Sequence, residues 1–360
     1  MTQWDQLAGE LRLVPGAPVP RNLLRRRPAG LRRVLQGQPA EAWPDLAAAV
    51  FSLCGHAHRG TARRAIAAAR GQVAAPDAPA RTALRWHTAR DHVRRILLDW
   101  CTADAALREA AAQALACSPL PHGDDAAAAL RALPAWLSTQ LLGMPVAGWL
   151  AQAERGGEAW LRDWCETHEG PAAAFLRSTA STARRIVLPV QPLALHDDAP
   201  AQAALAQRLA AALEMDDDAA IAPLAAGRLE TGAWTRHRDA ARGPVHNAWM
   251  RFAFRLVDLA RLAADEGSDW LCGGALTTGP GEGMAWTEMA RGLLVHWVRL
   301  DGERVAHFRV LSPTDWNFHP EGALAQALPA LDAHGARLLA AAFDPCVPAV
   351  LARSEEAAHA

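Results

Sequence analysis

Apolar residues recur every three to four positions along most of the chain, which is the pattern of amphipathic helices. In one such stretch Val93, Ile96, Leu97 and Trp100 fall on one helical face. A second stripe runs from Trp249 through the following helix and is typical of a helix packed in a core. The pattern predicts helical stretches over Ala40–Arg70 with an interruption at Cys54-Gly55, Thr82–Ala116, Ala126–Leu142, Val146–Trp164, Ala201–Met215, His246–Ala264 and Gly322–Leu339.

The pattern changes in the last quarter of the chain, where short apolar runs alternate with turn residues. The runs GLLVHWVRL and ERVAHFRVL flank Asp301-Gly302, a strong β-hairpin signal. Gly279–Gly283 lacks the lysine of a phosphate-binding loop and is interpreted as a turn. Ile186–Pro200 is predicted to be extended or a connection, because it contains several prolines.

These elements predict a mainly α fold with a small β element, an α+β class. We expect one domain over 1–360, with an irregular Pro- and Arg-rich lead-in over about 1–40 and a β-hairpin region over about 285–320. The length allows one large domain with a sizeable core.

Composition and charge narrow the classes of function. Hydrophobic residues make up 51% of the chain and charged residues 21%, as in globular proteins. The 37 basic and 38 acidic residues nearly cancel, so we expect no nucleic-acid partner and no anionic membrane surface. No basic and apolar leader opens the chain, and no apolar run approaches ~18 residues, so we expect no membrane span. The six cysteines are scattered without a CxxC pair, which indicates a cytoplasmic protein with reduced thiols.

Two cysteines lie in segments that could bind a metal. Cys54 is in Phe51-Ser-Leu-Cys-Gly-His-Ala-His58, and Cys346 is in Phe343-Asp-Pro-Cys-Val-Pro-Ala349. Thiolate and imidazole groups bind iron, nickel, copper or zinc. A single buried cysteine is more often a small core residue, and the regular ligand spacing of a zinc site is missing. In an extended segment, His56 and His58 would share a face, which is a weak metal signal by itself.

Taken together, several segments resemble the large subunit of [NiFe]-hydrogenases. That family holds its metals with a CGxC motif near the N-terminus and a DPCxxC motif at the C-terminus. The resemblance covers about 30–65 and 228–349. The further matching segments are Gly30-Leu-Arg-Arg-Val-Leu-Gln-Gly37, Glu230-Thr-Gly-Ala-Trp-Thr-Arg236, Glu288-Met-Ala-Arg-Gly-Leu-Leu-Val-His296, Pro313-Thr-Asp-Trp-Asn-Phe-His-Pro320 and Phe343-Asp-Pro-Cys346.

The departures from the enzyme pattern are equally informative. In the enzyme, each cysteine motif supplies two thiolates, nickel takes all four, and the second of each pair also bridges to iron. Here the second positions are Ala57 and Ala349, so the metal ligands retained would be Cys54 and Cys346. Two thiolates cannot close a bridged nickel–iron centre, whereas an iron that already carries cyanide and carbon monoxide needs fewer protein bonds. This pattern resembles the HupK/HoxV family of hydrogenase maturation proteins.

The resemblance assigns roles to three more residues. In the enzyme, an arginine and a Pro-Thr segment lie beside the diatomic ligands, so Arg291 and Thr314 are the candidate hydrogen-bond donors to cyanide. Asp344 would orient Cys346 or pair with Arg291. Without the resemblance, Arg291 would be interpreted as a solvated charge and Asp344 as an ordinary turn residue.

The expected function is therefore a non-catalytic scaffold that transiently carries Fe(CN)2(CO), without nickel, during hydrogenase maturation. The expected partners are Hyp-type accessory proteins and the apo large subunit. Two alternatives remain: a chaperone-like maturation factor that binds partners but no metal, and a divergent hydrogenase, against which the missing thiolates argue.

Overall fold

The computed structural model describes residues 9–26, 34–73, 75–102, 105–120, 125–188, 191–193, 195, 198–211, 229–237, 245–264, 271 and 273–352. The chain divides into two compact units. Unit 1 comprises 1–76, 188–235 and 272–360, and unit 2 comprises 77–187 and 236–271. The single-domain expectation over 1–360 stays a prediction.

Helices account for most of the described elements. In chain order they are α1 (Trp43–Val50), α2 (Gly55–Ala69), α3 (Ala78–Arg94), α4 (Ala105–Ala116), α5 (Ala126–Leu137), α6 (Val146–Thr167), α7 (Pro171–Ala183), α8 (Ala199–Ala211), α9 (Ala248–Ala264), α10 (Pro313–Asn317), α11 (Ala323–Ala327) and α12 (Ala333–Phe343). Short 3₁₀ turns lie at Ser52–Cys54 and Leu328–Ala330, and π-helical turns extend α3 over Arg95–Trp100 and α5 over Ser138–Leu142.

Among the described residues, the strands form three sheets, and each of these lies in unit 1. They are β1 (Glu10–Leu13), β2 (Leu23–Arg26), β3 (Gln191–Pro192), β4 (Leu229–Glu230), β5 (Gly273–Gly279), β6 (Glu282–Met289), β7 (Gly292–Asp301), β8 (Arg304–Leu311) and β9 (Ala349–Leu351). The largest sheet is antiparallel with the order β5-β6-β7-β8, and the others have the orders β2-β1-β9 and β3-β4.

The central strands β6 and β7 are buried on both faces, because successive side chains of a strand point to opposite sides. Leu294 and Val298 join one core cluster, which includes Trp43 and α2 residues. Leu293 and Val295 join a second cluster on the other face, beside Trp316. Burial on both faces explains why the sequence of β7 is a nearly continuous apolar run.

The N-terminal lead-in differs from the irregular segment that was expected. β1 pairs antiparallel with β2, and β9 from the far end of the chain pairs parallel with β1, placing Leu11 opposite Ala349. A local pattern shows no such pairing, because the partner strand lies more than three hundred residues away. Residues 27–33, which carry part of the Gly30–Gly37 resemblance, lie outside the described residues.

Unit 2 contains α3 to α7 and α9. Every residue of α9 from Ala248 to Ala263 is buried, although the helix carries three arginines and one aspartate. Asn247 caps its start by accepting a hydrogen bond from the Met250 amide at 2.8 Å. On α9, Phe252 packs edge-on against Phe175 and Trp100, with ring centroids at 5.0 and 5.3 Å.

The structure confirms the mainly α, α+β class and the hairpin at Asp301-Gly302. Two predicted helical stretches are divided: Thr82–Ala116 into α3, a π turn and α4, and Gly322–Leu339 into α11, a 3₁₀ turn and α12. The turn predicted within Gly279–Gly283 lies at Pro280-Gly281, between β5 and β6, two strands that the sequence pattern missed. The end of the Ala201–Met215 stretch lies outside the described residues. Of the helices in the described ranges, none is both long and apolar enough to cross a bilayer.

Candidate functional site

Cys54 and Cys346 come from opposite ends of the chain and pack into one cluster. Cys54 ends the 3₁₀ turn between α1 and α2 and is 6% exposed. Gly55, which follows it, is required by space, since a Cβ there would lie 2.7 Å from the Ala48 carbonyl oxygen. Cys346 follows α12, is half-buried, and packs against the cluster that contains Cys54. The expectation that the two sulfurs lie within about 7 Å, close enough to bind one metal, stays a prediction.

Arg291 lies at the turn between β6 and β7 and is buried, with 4% of its surface exposed. Its Nη1 atom donates a hydrogen bond to Cys54 Sγ at 3.5 Å. Its Nε atom lies 3.3 Å from Oδ2 of Asp344. The alternative interpretation of Arg291 as a solvated charge is therefore wrong. The guanidinium instead connects the Cys54 thiol with the aspartate two residues before Cys346.

Thr314 lies in the first turn of α10 and contacts Cys346 twice. Its Oγ1 atom accepts a hydrogen bond from the Cys346 amide at 3.0 Å and lies 3.0 Å from Cys346 Sγ. A hydroxyl carries two lone pairs and one hydrogen, so Oγ1 can accept from the amide and still donate its own hydrogen. A deprotonated Cys346 would thus receive a hydrogen bond from Thr314.

Asp344 ends α12 in the left-handed region, with φ of 51°. Aspartate is one of the few non-glycine residues that adopt this conformation without a large penalty, and such residues concentrate at functional sites. The side chain is 1% exposed and faces Arg291. Asp344 is thus a turn residue, as the simpler interpretation held, and also the ion-pair partner of Arg291.

The turn that carries Arg291 is supported by two of the resembling segments, Glu230–Arg236 and Pro313–Pro320. Asn317 donates to the Thr231 carbonyl at 2.7 Å and accepts from the Thr231 amide at 3.0 Å. Thr231 Oγ1 in turn accepts from the Leu293 amide at 2.7 Å. Gly292 has φ of 119°, and a Cβ there would collide with Thr231. Asn317 therefore has a structural role, and only glycine fits next to Arg291.

The two alanines at the second positions of the cysteine motifs have different surroundings. Ala57 is buried in the first turn of α2, whereas Ala349 is exposed in β9 opposite Leu11. Across the described ranges, no three His, Cys, Asp or Glu side chains converge as a metal site. Two thiols alone would leave an ion that needs four protein ligands two ligands short.

His56 and His58 do not share a face, because the segment is helical rather than extended. His56 is half-buried, and its pKa is lowered by burial and by the charges of Arg59 and Arg63. His58 is buried, and its Nδ1 atom lies 3.0 Å from Nε2 of His296 on β7. Sequence reasoning missed His296, although an imidazole inside the apolar run of β7 was a signal that it needs a polar partner.

Three of the remaining cysteines, Cys101, Cys117 and Cys165, belong to unit 2. Cys101 and Cys165 are buried in unit 2, where desolvation raises their thiol pKa to about 11 and about 12. Cys117 is exposed. Cys272 lies outside the described residues. Within the described part of the chain, Cys54 and Cys346 are the thiols beside an arginine or a threonine of the predicted site.

Comparison with curated proteins identifies relatives along nearly the whole chain. It is 37% identical over 378 residues to "Hydrogenase expression/formation protein HoxV" of Cupriavidus necator, covering 97% of this chain and 96% of that protein. It is 33% identical over 353 residues to "Hydrogenase expression/formation protein HupK" of Rhizobium leguminosarum bv. viciae, covering 89% of each. The family described as "Nickel-dependent hydrogenase" matches residues 270–333.

Comparison with solved structures shows the fold. A [NiFeSe] hydrogenase variant from Desulfovibrio vulgaris Hildenborough matches with a TM-score of 0.52 and 13% identity, covering 90% of this chain and 92% of that chain. An NAD+-reducing [NiFe]-hydrogenase in the H2-reduced state matches with a TM-score of 0.50 and 16% identity, covering 90% and 91%. The chain thus has the fold of a hydrogenase large subunit.

Proposed function

Because this chain belongs to the HoxV/HupK family of hydrogenase expression/formation proteins, we propose that it is a non-catalytic scaffold for the active-site iron. Its cargo is the Fe(CN)2(CO) unit, bound transiently by Cys54 and Cys346 and then passed to the apo large subunit. Hyp-type accessory proteins supply the cargo, in the cytoplasm, where thiols remain reduced.

One observation carries this proposal: each of the two thiols contacts a side chain that can donate a hydrogen bond to it. Arg291 donates to Cys54 and Thr314 contacts Cys346, while Asp344 pairs with Arg291. Hydrogen bonds to a sulfur favour its thiolate, the form that binds metal. Cyanide on iron carries negative charge and accepts hydrogen bonds, and a guanidinium is a strong donor to such a group.

The donor set also favours iron with diatomic ligands over nickel. Two thiolates and three diatomic ligands account for most of the coordination sphere of a low-spin iron. Nickel in this fold takes four thiolates, and here Ala57 and Ala349 supply none. Cys346 is half-buried, whereas Cys54 is buried, so the cargo would have solvent access on the Cys346 side.

The decisive experiment replaces each ligand separately by serine. Anaerobically purified protein should show infrared bands of metal-bound carbon monoxide and cyanide, and Cys54→Ser or Cys346→Ser should abolish them. A serine hydroxyl is not ionised near neutral pH and is a harder, poorer ligand for iron. The substitution should cost about 1–3 kcal/mol of stability, so circular dichroism should remain native.

Cys165→Ser provides the matched control, because it makes the same change at a buried free thiol of unit 2. It should retain the bands and support hydrogenase activity in the cell. Normal bands in both Cys54→Ser and Cys346→Ser would refute the carrier role. Absence of bands in the wild-type protein, combined with full dependence of hydrogenase activity on it, would favour the metal-free maturation factor instead.

A further inference from the structure

A row of polar contacts lies between α2 and the four-stranded sheet, at an interface that is otherwise packed with apolar side chains. We call it the α2 seam and define it by four contacts, each on the face of α2 that packs on the sheet. The contacts are His58–His296, Thr61–Thr287, Arg64 with the Trp286 carbonyl, and the Ala68 carbonyl with Thr277. The helical positions recur every three to four residues, so the seam follows one side of the helix.

The hydroxyl groups of the seam form a chain with a defined direction. Arg64 donates to Thr287 Oγ1, and Thr61 donates to the Ala57 carbonyl at 2.8 Å. The two threonine oxygens are 2.6 Å apart, and since the Thr61 hydrogen is already used, Thr287 donates to Thr61. The chain therefore runs from the middle of α2 through β6 and ends at the carbonyl of Ala57, three residues after Cys54.

The histidine pair connects the first turn of α2 to β7, the strand that follows β6. His58 and His296 are 1% and 0% exposed, and their facing nitrogens are 3.0 Å apart. Burial lowers the pKa of both imidazoles, that of His296 to about 3, so both rings are neutral and one N–H hydrogen lies between the two facing nitrogens. Phe51 stacks on His58 with ring centroids 4.1 Å apart, and Trp43 packs edge-on against His296.

β6 and β7 form an antiparallel hairpin, and this hairpin carries Arg291. β6 ends at Met289 and β7 begins at Gly292, so Arg291 lies in the turn between Thr287 and His296. Apolar contacts tolerate sliding of a helix over a sheet, whereas hydrogen bonds weaken steeply beyond a few tenths of an ångström. A helix attached to both strands of the hairpin by hydrogen bonds has one position, and that position sets the distance from Cys54 to Arg291.

We propose that the α2 seam holds the Cys54 thiol at the Arg291 guanidinium, with His58 and His296 as positioning residues. This proposal depends on the function proposed above in one respect only, namely that the position of the thiol would set the geometry of the bound iron unit. The positioning itself is a property of the protein without cargo. It therefore has a readout that needs no iron, namely the reactivity of the Cys54 thiol.

The test compares alkylation rates of individual cysteines in the apo protein by mass spectrometry, with exposed Cys117 as the reference inside each molecule. His296→Leu removes the attachment of the first turn of α2 at His58, and Thr287→Val removes that of the second turn at Thr61. Each should raise the rate at Cys54 relative to Cys117 by about tenfold, because the hydrogen bond that keeps that turn closed is lost. Two different variants are used so that poor folding of one leaves the test intact.

Two controls separate positioning from a general loss of structure. His296→Gln keeps a polar group near the Nε2 position and should stay within about twofold of the wild-type rate. Thr277→Val removes the contact at the far end of the seam and should also leave the alkylation rate of Cys54 low. In protein loaded with the iron unit, His296→Leu should shift or broaden the cyanide bands, whereas His296→Gln should not.

The outcomes for the seam and for the carrier role are distinguishable. Raised Cys54 reactivity in His296→Leu and Thr287→Val supports positioning, even if the wild-type protein never shows iron bands. An unchanged Cys54 rate in both variants, with native circular dichroism, overturns the proposal whether or not iron is bound.

Discussion

Replacing Asp258 by alanine should strongly destabilise unit 2, because this carboxylate is the common acceptor of a buried cluster. Asp258 lies on α9 and is 1% exposed. Arg236 donates to it through Nε at 2.9 Å and Nη2 at 2.6 Å, which is a bidentate pair. His237 and His92 contact it at 2.8 and 2.7 Å. The positive charge of Arg236 holds the pKa of the Asp258 carboxyl well below its usual range.

The loss in the free energy of unfolding follows from the buried positive charge that the substitution leaves behind. Removing one partner of a buried ion pair typically costs about 3–5 kcal/mol, since the remaining charge stays buried without compensation. The matched control is Asp99→Ala, which removes a 52% exposed carboxylate paired with Arg95 at 2.9 Å. Exposed pairs of this kind contribute about 0–1 kcal/mol.

Urea denaturation followed by circular dichroism and tryptophan fluorescence gives both values. Asp258→Ala should lower the urea midpoint far more than Asp99→Ala, and thermal denaturation should show a drop in Tm of roughly 6–20 °C for the buried site. If the two variants unfold at the same urea concentration, the cluster around Asp258 does not stabilise the fold as these distances indicate.

Three further predictions concern pH, thiols and nickel. Burial lowers the pKa of His92 from 6.5 to about 4, so between these values only the unfolded state binds the proton. The free energy of unfolding should therefore fall by roughly 3 kcal/mol as the pH drops through this window, and His92→Gln should flatten urea midpoints measured from pH 7 to 4. Native protein at pH 8 should be alkylated rapidly at exposed Cys117 and not at Cys165, whose pKa burial raises to about 12; equal rates would contradict the burial. Ala349→Cys should not confer stoichiometric nickel binding measured by metal analysis, because residue 349 is exposed in β9. Nickel retained by this variant would contradict the inference from exposure, and nickel retained by the native protein would contradict the two-thiol argument.

Much of the fold could be predicted from local sequence patterns. Helices such as α9 show a 3.6-residue repeat, and the hairpin of β7 and β8 has a two-residue turn between apolar runs. β5 and β6 were missed because β6 is buried on both faces and β5 is rich in small residues, so neither alternates clearly. β1 and β9 were missed because each needs a partner at the other end of the chain.

The sequence by itself determined the family resemblance, the mainly α class and five candidate residues, since those depend on residue identity and spacing. Only the tertiary structure decided that Arg291 is buried against Cys54 and Asp344. Only the tertiary structure showed the contact between His58 and His296, which are 238 residues apart in the sequence. The physical reason is that hydrogen bonds and burial depend on positions in space, whereas a sequence pattern records only neighbours within a turn or a strand.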